Sequence, residues 1–228
     1  MSFFYYCDHI SGPLAYFDAH ETGHLKVMKK KEGEVVNFTD GMGSVFQGTI
    51  ISLKKDEAII SITERREDSS MEIKRQIHVT AGLSRWDRLS ILIEKAVELG
   101  VKSINIVHCE HSNYPKINLE KVEKTARKAL KQCGGTVMPQ LHAFKTLKET
   151  HLDGVVPVLL NPGAKSAINT VEFPLKTNVY IGPEGGFTHR ELHEIRSFSD
   201  FTIEISLGKR ILRLETAAIV AVAYIALS

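Results

Sequence analysis

The sequence predicts two domains of unequal size, a small β-rich domain followed by an α/β domain on a largely parallel sheet. Three observations carry this expectation. Up to about residue 68 the apolar residues come in short runs broken by turn residues. The stretch Glu64-Arg-Arg-Glu-Asp-Ser-Ser70 has no apolar residue, the composition of an exposed connector, and sets the domains at 1–69 and 70–228. From residue 72 onward strand-like and helix-like segments alternate. At 228 residues, 43% apolar and 25% charged, the chain can bury more than one core, which excludes disordered, collagen-like and low-complexity classes.

In the first domain, strands are expected at Phe3–Tyr6, Val35–Thr39, Val45–Leu53 and Ala58–Thr63, punctuated by Gly33, Asp40-Gly-Met-Gly43 and Lys54-Lys-Asp56. Lys29-Lys-Lys31 falls on an expected helix, as a solvated face or a phosphate contact. In the second domain, strands are expected at Ile73–Thr80, Ser103–Cys109, Val155–Leu160, Asn178–Ile181 and Phe201–Ile205. Ser84 is placed to cap a helix bearing Leu89, Leu92, Ile93, Ala96 and Val97, with Gly100 after it. Asn118 is placed to cap a second helix, which Gly134 follows, and Thr188-His-Arg-Glu191 has the capping-box form opening a third. The last helix, Leu214 to Leu227, is apolar all round, so both faces need cover from sheet, helix or a second subunit; a dimer is expected.

The longest wholly apolar run, Ala217 to Leu227, has eleven residues, short of the roughly 20 that span a bilayer. The first residues show no basic segment leading into an apolar one, so neither a membrane span nor a secretory signal is expected, and the location expected by default is cytoplasmic. Three cysteines without a C-x-x-C spacing predict reduced, mostly buried thiols. His108-Cys-Glu-His111 contains metal-ligand types, but strand alternation sends neighbours to opposite faces, so no metal site is expected.

Two segments have the composition of ligand sites. Tyr180-Ile-Gly-Pro-Glu-Gly-Gly-Phe-Thr188 runs from a strand end through backbone punctuation into a helix start, where glycines let a ligand approach the main chain. A tight strand-to-helix connection needing positive φ has the same composition. The loop is neither G-x-x-x-x-G-K-[ST] nor G-x-G-x-x-G. Ser206-Leu-Gly-Lys-Arg-Ile-Leu-Arg-Leu-Glu-Thr216 sets Arg210, Arg213 and Glu215 at the head of the apolar last helix. The arginines either border a ligand cavity or stand on the surface, and Glu215 favours a helix N-terminus. Val158-Leu-Leu-Asn-Pro-Gly163 ends another strand in a turn.

Together, Ile181-Gly-Pro-Glu-Gly-Gly-Phe-Thr188 and Leu207-Gly-Lys-Arg-Ile-Leu-Arg-Leu-Glu-Thr-Ala217 resemble the two signature segments of the RsmE family, SPOUT methyltransferases that modify N3 of a uridine in small-subunit ribosomal RNA. The resemblance extends to Glu94-Lys-Ala-Val-Glu-Leu-Gly-Val101, Cys109-Glu-His-Ser112, Lys131-Gln-Cys-Gly-Gly-Thr-Val-Met-Pro139, His24-Leu-Lys-Val-Met-Lys29 and Asp40-Gly-Met-Gly43. It departs at Lys29 and Gly135, where the family carries arginine, and at Arg85-Trp86, where it has Lys-Gly.

The resemblance implies an α/β protein with a small N-terminal PUA-like β-barrel and a C-terminal SPOUT domain tied in a trefoil knot, acting as a homodimer on ribosomal RNA within the 30S subunit. It implies that S-adenosyl-L-methionine is held by Leu160, Asn161 and Pro162, by Gly182, Pro183, Glu184, Gly185 and Gly186, and by Leu207, Gly208, Ile211, Leu212 and Arg213. RNA contacts are implied for His24, Lys29, Lys30, Arg85 and Arg88. Uridine N3 becomes nucleophilic only when its proton leaves, so a fixed cation beside the resulting anion is expected from Arg213 or Arg210. Glu215 is expected to orient that arginine or to act as base. A non-catalytic RNA-binding or ribosome-assembly factor on the same fold is the alternative; it predicts cofactor binding without turnover. An enzyme acting on a free nucleotide would be active without RNA.

The net charge of +2 divides unevenly. Residues 1–69 hold 8 Lys and Arg against 11 Asp and Glu, and residues 70–228 hold 21 against 16. Any RNA grip is therefore expected from local basic clusters and the second domain, with a moderate salt dependence.

Overall fold

The computed structural model describes residues 4–68 and 73–228. Phe3, Ser69 and Ser70, assigned above to the first strand and the connector, lie outside the described residues. The chain forms two compact units: the described part of Met1–Glu72 together with Arg127–Met138, and Ile73–Ala126 together with Pro139–Ser228.

The first unit is a curled six-stranded sheet. Its strands are β1 (Phe4–Tyr6), β2 (Ile10–Ser11), β3 (Leu14–Phe17), β4 (Val35–Thr39), β5 (Ser44–Leu53) and β6 (Ala58–Glu67), in the spatial order β1-β4-β5-β6-β3-β2. Helix α1 (Ala19–Val27) is capped by Asp18, whose carboxylate accepts from Glu21 N at 2.8 Å. Phe38 is fully buried, edge-on to Phe17 and stacked on Phe46, with Ile50, Ile60 and Leu25 completing the core. At the β4–β5 turn the Asp40 carboxylate accepts from Met42 N and Ser44 N, and Gly41 and Gly43 take φ of 75° and 96°. The end of the third helix joins this unit: Arg127 lies over the Tyr6 ring and pairs with Asp8, and buried Lys131 pairs with buried Glu21.

Two first-domain expectations need correction, and one hairpin was not foreseen. β6 does not stop at Thr63; Glu64–Glu67 pair with Ser44–Gln47, and these residues are charged because they are exposed, not because they leave the sheet. Lys29–Lys31 are not helical, since α1 ends at Val27 and Lys29 takes φ 57°. The hairpin β2–β3, turning through Gly12 and Pro13, was too short to show periodicity.

In the second unit all six strands are parallel, in the order β12-β10-β11-β7-β8-β9. They are β7 (Gln76–Gly82), β8 (Ser103–Val107), β9 (Gln140–Phe144), β10 (Val156–Leu160), β11 (Lys176–Ile181) and β12 (Ile203–Ile205). The helices are α2 (Trp86–Glu98), α3 (Leu119–Cys133, its first part here), α4 (His189–Arg196) and α5 (Leu214–Leu227). Asn118 caps α3 through Lys121 N, and Gly100 and Gly134 take left-handed φ after α2 and α3. Ser84 is not the cap of α2: that position is Arg85, and the Ser84 hydroxyl donates to Gly82 O. β9 was missed because it is an edge strand with mostly exposed residues.

Cys7 and Cys109 are buried and Cys133 half-buried; burial pushes the Cys7 thiol up to about 11 and Cys109 up to about 12. Helix α5 packs on α2, β7 and β11 through Leu214, Ala218, Ala221, Val222 and Ile225. Its other side leaves Val220, Tyr224 and Leu227 exposed. No helix among the described residues is long and apolar enough to cross a membrane.

Candidate active site

Strands β12, β10 and β11 are neighbours, so the turns leaving their carboxyl ends meet although they lie far apart in sequence. The turn after β11 is set by steric closeness. A Cβ on Gly182 would stand 3.0 Å from Phe187 N and 3.1 Å from Gly186 Cα. Gly186 donates to Pro183 O at 2.8 Å and takes φ 73°, closing the turn. The segment then enters α4 at Thr188, where both halves of the capping box form with Glu191.

Neighbouring loops fix this turn. The second Glu191 oxygen accepts from Glu110 N at 2.8 Å. His111 Nδ1 lies 3.0 Å from both Gly185 O and Gly186 O, and with carbonyls on both sides it is the donor. The Glu184 carboxylate accepts from Arg85 N at the start of α2. After β10, Asn161 Oδ1 accepts from Gly163 N while its amide donates to Glu204, itself paired with Arg196, which holds its carboxyl below the usual range. After β12, Ser206 N donates to Ser166 O, and Gly208 turns the chain at φ 115°.

Between the three turns lies a cavity of about 450 Å³. Of the thirteen residues proposed for the cofactor, all but Gly185 line it. Gly185 instead packs on His111. Arg210, Arg213 and Glu215 also line it; both arginines are exposed and make no ion pair with a described residue. The expected pairing of Glu215 with one of these arginines is not what forms. Glu215 Oε1 accepts from Arg88 Nη1 at 2.7 Å, so Arg88, named above as an RNA contact, stands in the cavity wall.

Arg85 stays outside and pairs with Asp87. In the first unit His24 is half-buried against the Tyr5 ring and near Glu21, its pKa lowered by burial and by Lys131, and Lys30 pairs with Glu34. The apolar wall residues Phe187, Leu192, Ile205 and Leu214 were missed, although Phe187 sits inside the motif and Leu192 follows the Thr188 cap by four residues. Among the described residues no group of three His, Cys, Asp or Glu side chains converges on a metal position.

A parallel α/β sheet with a glycine-built, largely apolar cavity at three adjacent strand ends is the arrangement in which open α/β domains bind small organic ligands. A family model described as an RNA methyltransferase domain matches residues 71–226, one described as an RNA methyltransferase PUA domain matches residues 17–63, and the chain belongs to this RNA methyltransferase family. Among its relatives, the ribosomal RNA small subunit methyltransferase E of Buchnera aphidicola is 28% identical over 220 residues, spanning 91% of this chain and 85% of the relative. A crystal structure of a predicted RNA methyltransferase from Thermotoga maritima is 34% identical, with a TM-score of 0.84 over 98% of this chain and 97% of that one. A putative methyltransferase from Legionella pneumophila, determined with bound SAM, is 25% identical, with a TM-score of 0.88 over 99% of this chain and 97% of that one.

Proposed function

We propose that this protein methylates N3 of a uridine in the RNA of the small ribosomal subunit, using S-adenosylmethionine, as a cytoplasmic homodimer. The observation that carries the reading is the convergence of the three motif turns on one cavity, in a chain of the RNA methyltransferase family whose relatives bear small-subunit ribosomal RNA methyltransferase names.

The cavity fits the cofactor. Gly182 leaves no room for a side chain, so main-chain groups lie bare at the wall, and apolar Leu160, Ile181, Phe187 and Leu212 supply the surface an adenosyl group needs. Leu160–Pro162, Gly182, Pro183, Glu184 and Gly186, and Leu207, Gly208 and Ile211–Arg213 would hold it. Once bound, it supplies an electrophilic methyl group on a sulfonium. The protein's own residues do the remainder: Arg213, with Arg210 beside it, offers guanidinium donors to a uracil carbonyl and stabilises the anion left when N3 loses its proton. The target base leaves its stack, at a few kcal/mol unless already unpaired. The bare α5 stripe of Val220, Tyr224 and Leu227 is where a second copy would pack. His24, Lys29 and Arg85 would contact RNA, each as a local contact on a chain of near-neutral charge.

The test is incubation with methyl-labelled S-adenosylmethionine and small ribosomal subunits lacking the modification. Label on N3 of a single uridine is expected. Absence of label together with absence of cofactor binding by calorimetry overturns the reading, and binding without turnover points to an assembly factor.

A further inference from the structure

One carboxylate joins the elements that carry all three cavity turns, although it does not itself line the cavity. Glu204 stands on β12, just ahead of the turn that leaves that strand. Its Oε1 accepts from Arg196 Nε at 2.5 Å, and its Oε2 accepts from Arg196 Nη2 and from Asn161 Nδ2, both at 3.1 Å. Arg196 is the last residue of α4, the helix that the turn after β11 feeds, and Asn161 opens the turn after β10. The guanidinium grips both oxygens as a fork, which fixes the orientation in which the second oxygen meets Asn161. Arg196 first, then Asn161, hold the Glu204 carboxyl below the usual range, so its charge is present near neutral pH. Asn161 is engaged throughout. Its N–H donates to Ile205 O and its carbonyl accepts from Ala164 N, both at 3.0 Å, while its Oδ1 accepts from Gly163 N at 2.9 Å. With its amide on Glu204, each polar group of Asn161 has a protein partner, so this cavity-lining residue serves by the turn it shapes.

We propose that Glu204 is a positioning residue for S-adenosylmethionine, one that sets the turns after β10, β11 and β12 at a fixed spacing, with Arg196 holding its carboxylate and Asn161 passing the constraint to the cavity wall. This rests on the cofactor reading above. A cavity built from the loops of three strands binds tightly only when those loops are already in place, because ordering them at binding costs affinity. The ion pair itself adds little to stability, since its two side chains are 44% and 26% exposed. Its effect falls on the ligand more than on the fold.

The experiment is calorimetric titration of wild type, Glu204→Ala, Glu204→Gln, Arg196→Met and the double variant Glu204→Ala with Arg196→Met, using S-adenosylmethionine and recording ligand-free melting temperatures. Lys95→Met, which removes surface ion pairs to Glu94 and Glu98 on α2, is the control for stability alone. Glu204→Ala weakens the cofactor about tenfold, the scale of one interaction lost from a preorganised site, while its melting temperature falls about as far as that of the control. Arg196→Met weakens it less, and the double variant binds as Glu204→Ala does, because the arginine acts only through that carboxylate. Glu204→Gln keeps an acceptor for Asn161 and retains part of the affinity. In turnover, KM for the cofactor rises while KM for RNA stays at the wild-type value. Should Glu204→Ala not fold, Arg196→Met against wild type reads the same relay. Unchanged cofactor affinity, or a loss that tracks melting temperature in every variant and in the control, overturns the proposal while leaving the function intact. A wild type that binds no cofactor overturns the cofactor reading itself.

Discussion

The Pro183 ring lies directly on Gly82: a methyl group built at Gly82 would come within 2.4 Å of Pro183 Cδ and 2.5 Å of Pro183 N. The end of β7 is thus the floor of the β11 turn. Gly82→Ala must push the turn outward, since backbone and a proline ring cannot swing aside. The expected result is a loss of about 1–3 kcal/mol in stability, read from denaturant unfolding, and cofactor affinity at least about tenfold weaker.

Arg210 and Arg213 stand at the cavity with no carboxylate among the described residues holding them. If Arg213 stabilises charge that develops only during reaction, Arg213→Gln lowers kcat by about a hundredfold or more, beyond any loss of cofactor affinity measured on the same variant. Arg210→Gln tests the same role. Whichever variant loses kcat with KM for RNA unchanged carries the charge, and a loss confined to KM assigns that residue to RNA binding.

Lys131 and Glu21 are 9% and 6% exposed and pair with each other. Removing one partner strands a buried charge, so Lys131→Met costs about 3–5 kcal/mol. The double variant Glu21→Gln with Lys131→Met is less destabilised than Lys131→Met alone. Chemical denaturation of the four proteins in a cycle measures this.

Burial and nearby Lys102 lower the pKa of His78, whose Nδ1 bonds Ser103 Oγ at 2.8 Å, and burial and Lys131 lower that of His24. Below pH 6.5, the ordinary histidine value, the unfolded chain therefore binds protons that the folded chain does not. Stability falls as pH falls through that window and is flat above it. His78→Asn makes the slope shallower, which unfolding curves between pH 7.5 and about 5 would reveal.

Most of the α/β unit was legible because its strands are continuous apolar runs and its helices carry caps: Asn118, the Thr188–Glu191 box and the bounds of α5 all stand where the sequence put them. What failed did so for physical reasons. Glu64–Glu67 is a strand with exposed side chains, β9 is an exposed edge, and Lys29 turns the chain in a conformation that a lysine does not announce. The cavity was legible through its glycines and its family motifs. Its apolar wall was not, since Ile205 and Leu214 look like any core residue. Nor was the Arg88–Glu215 contact, which joins residues 127 positions apart and depends on how α2 and α5 pack. The trefoil knot rests on resemblance alone.

Glu191 starts helix α4 with one carboxylate oxygen and grips the backbone of Glu110 with the other, while His111 from that same loop holds the carbonyls of Gly185 and Gly186. Loop, helix start and glycine turn consequently share their fastenings and open as a single cooperative unit. The ligand's residence time is then governed by how often that unit breathes. Amide protection across residues 182–192 rises and falls together when the cavity fills.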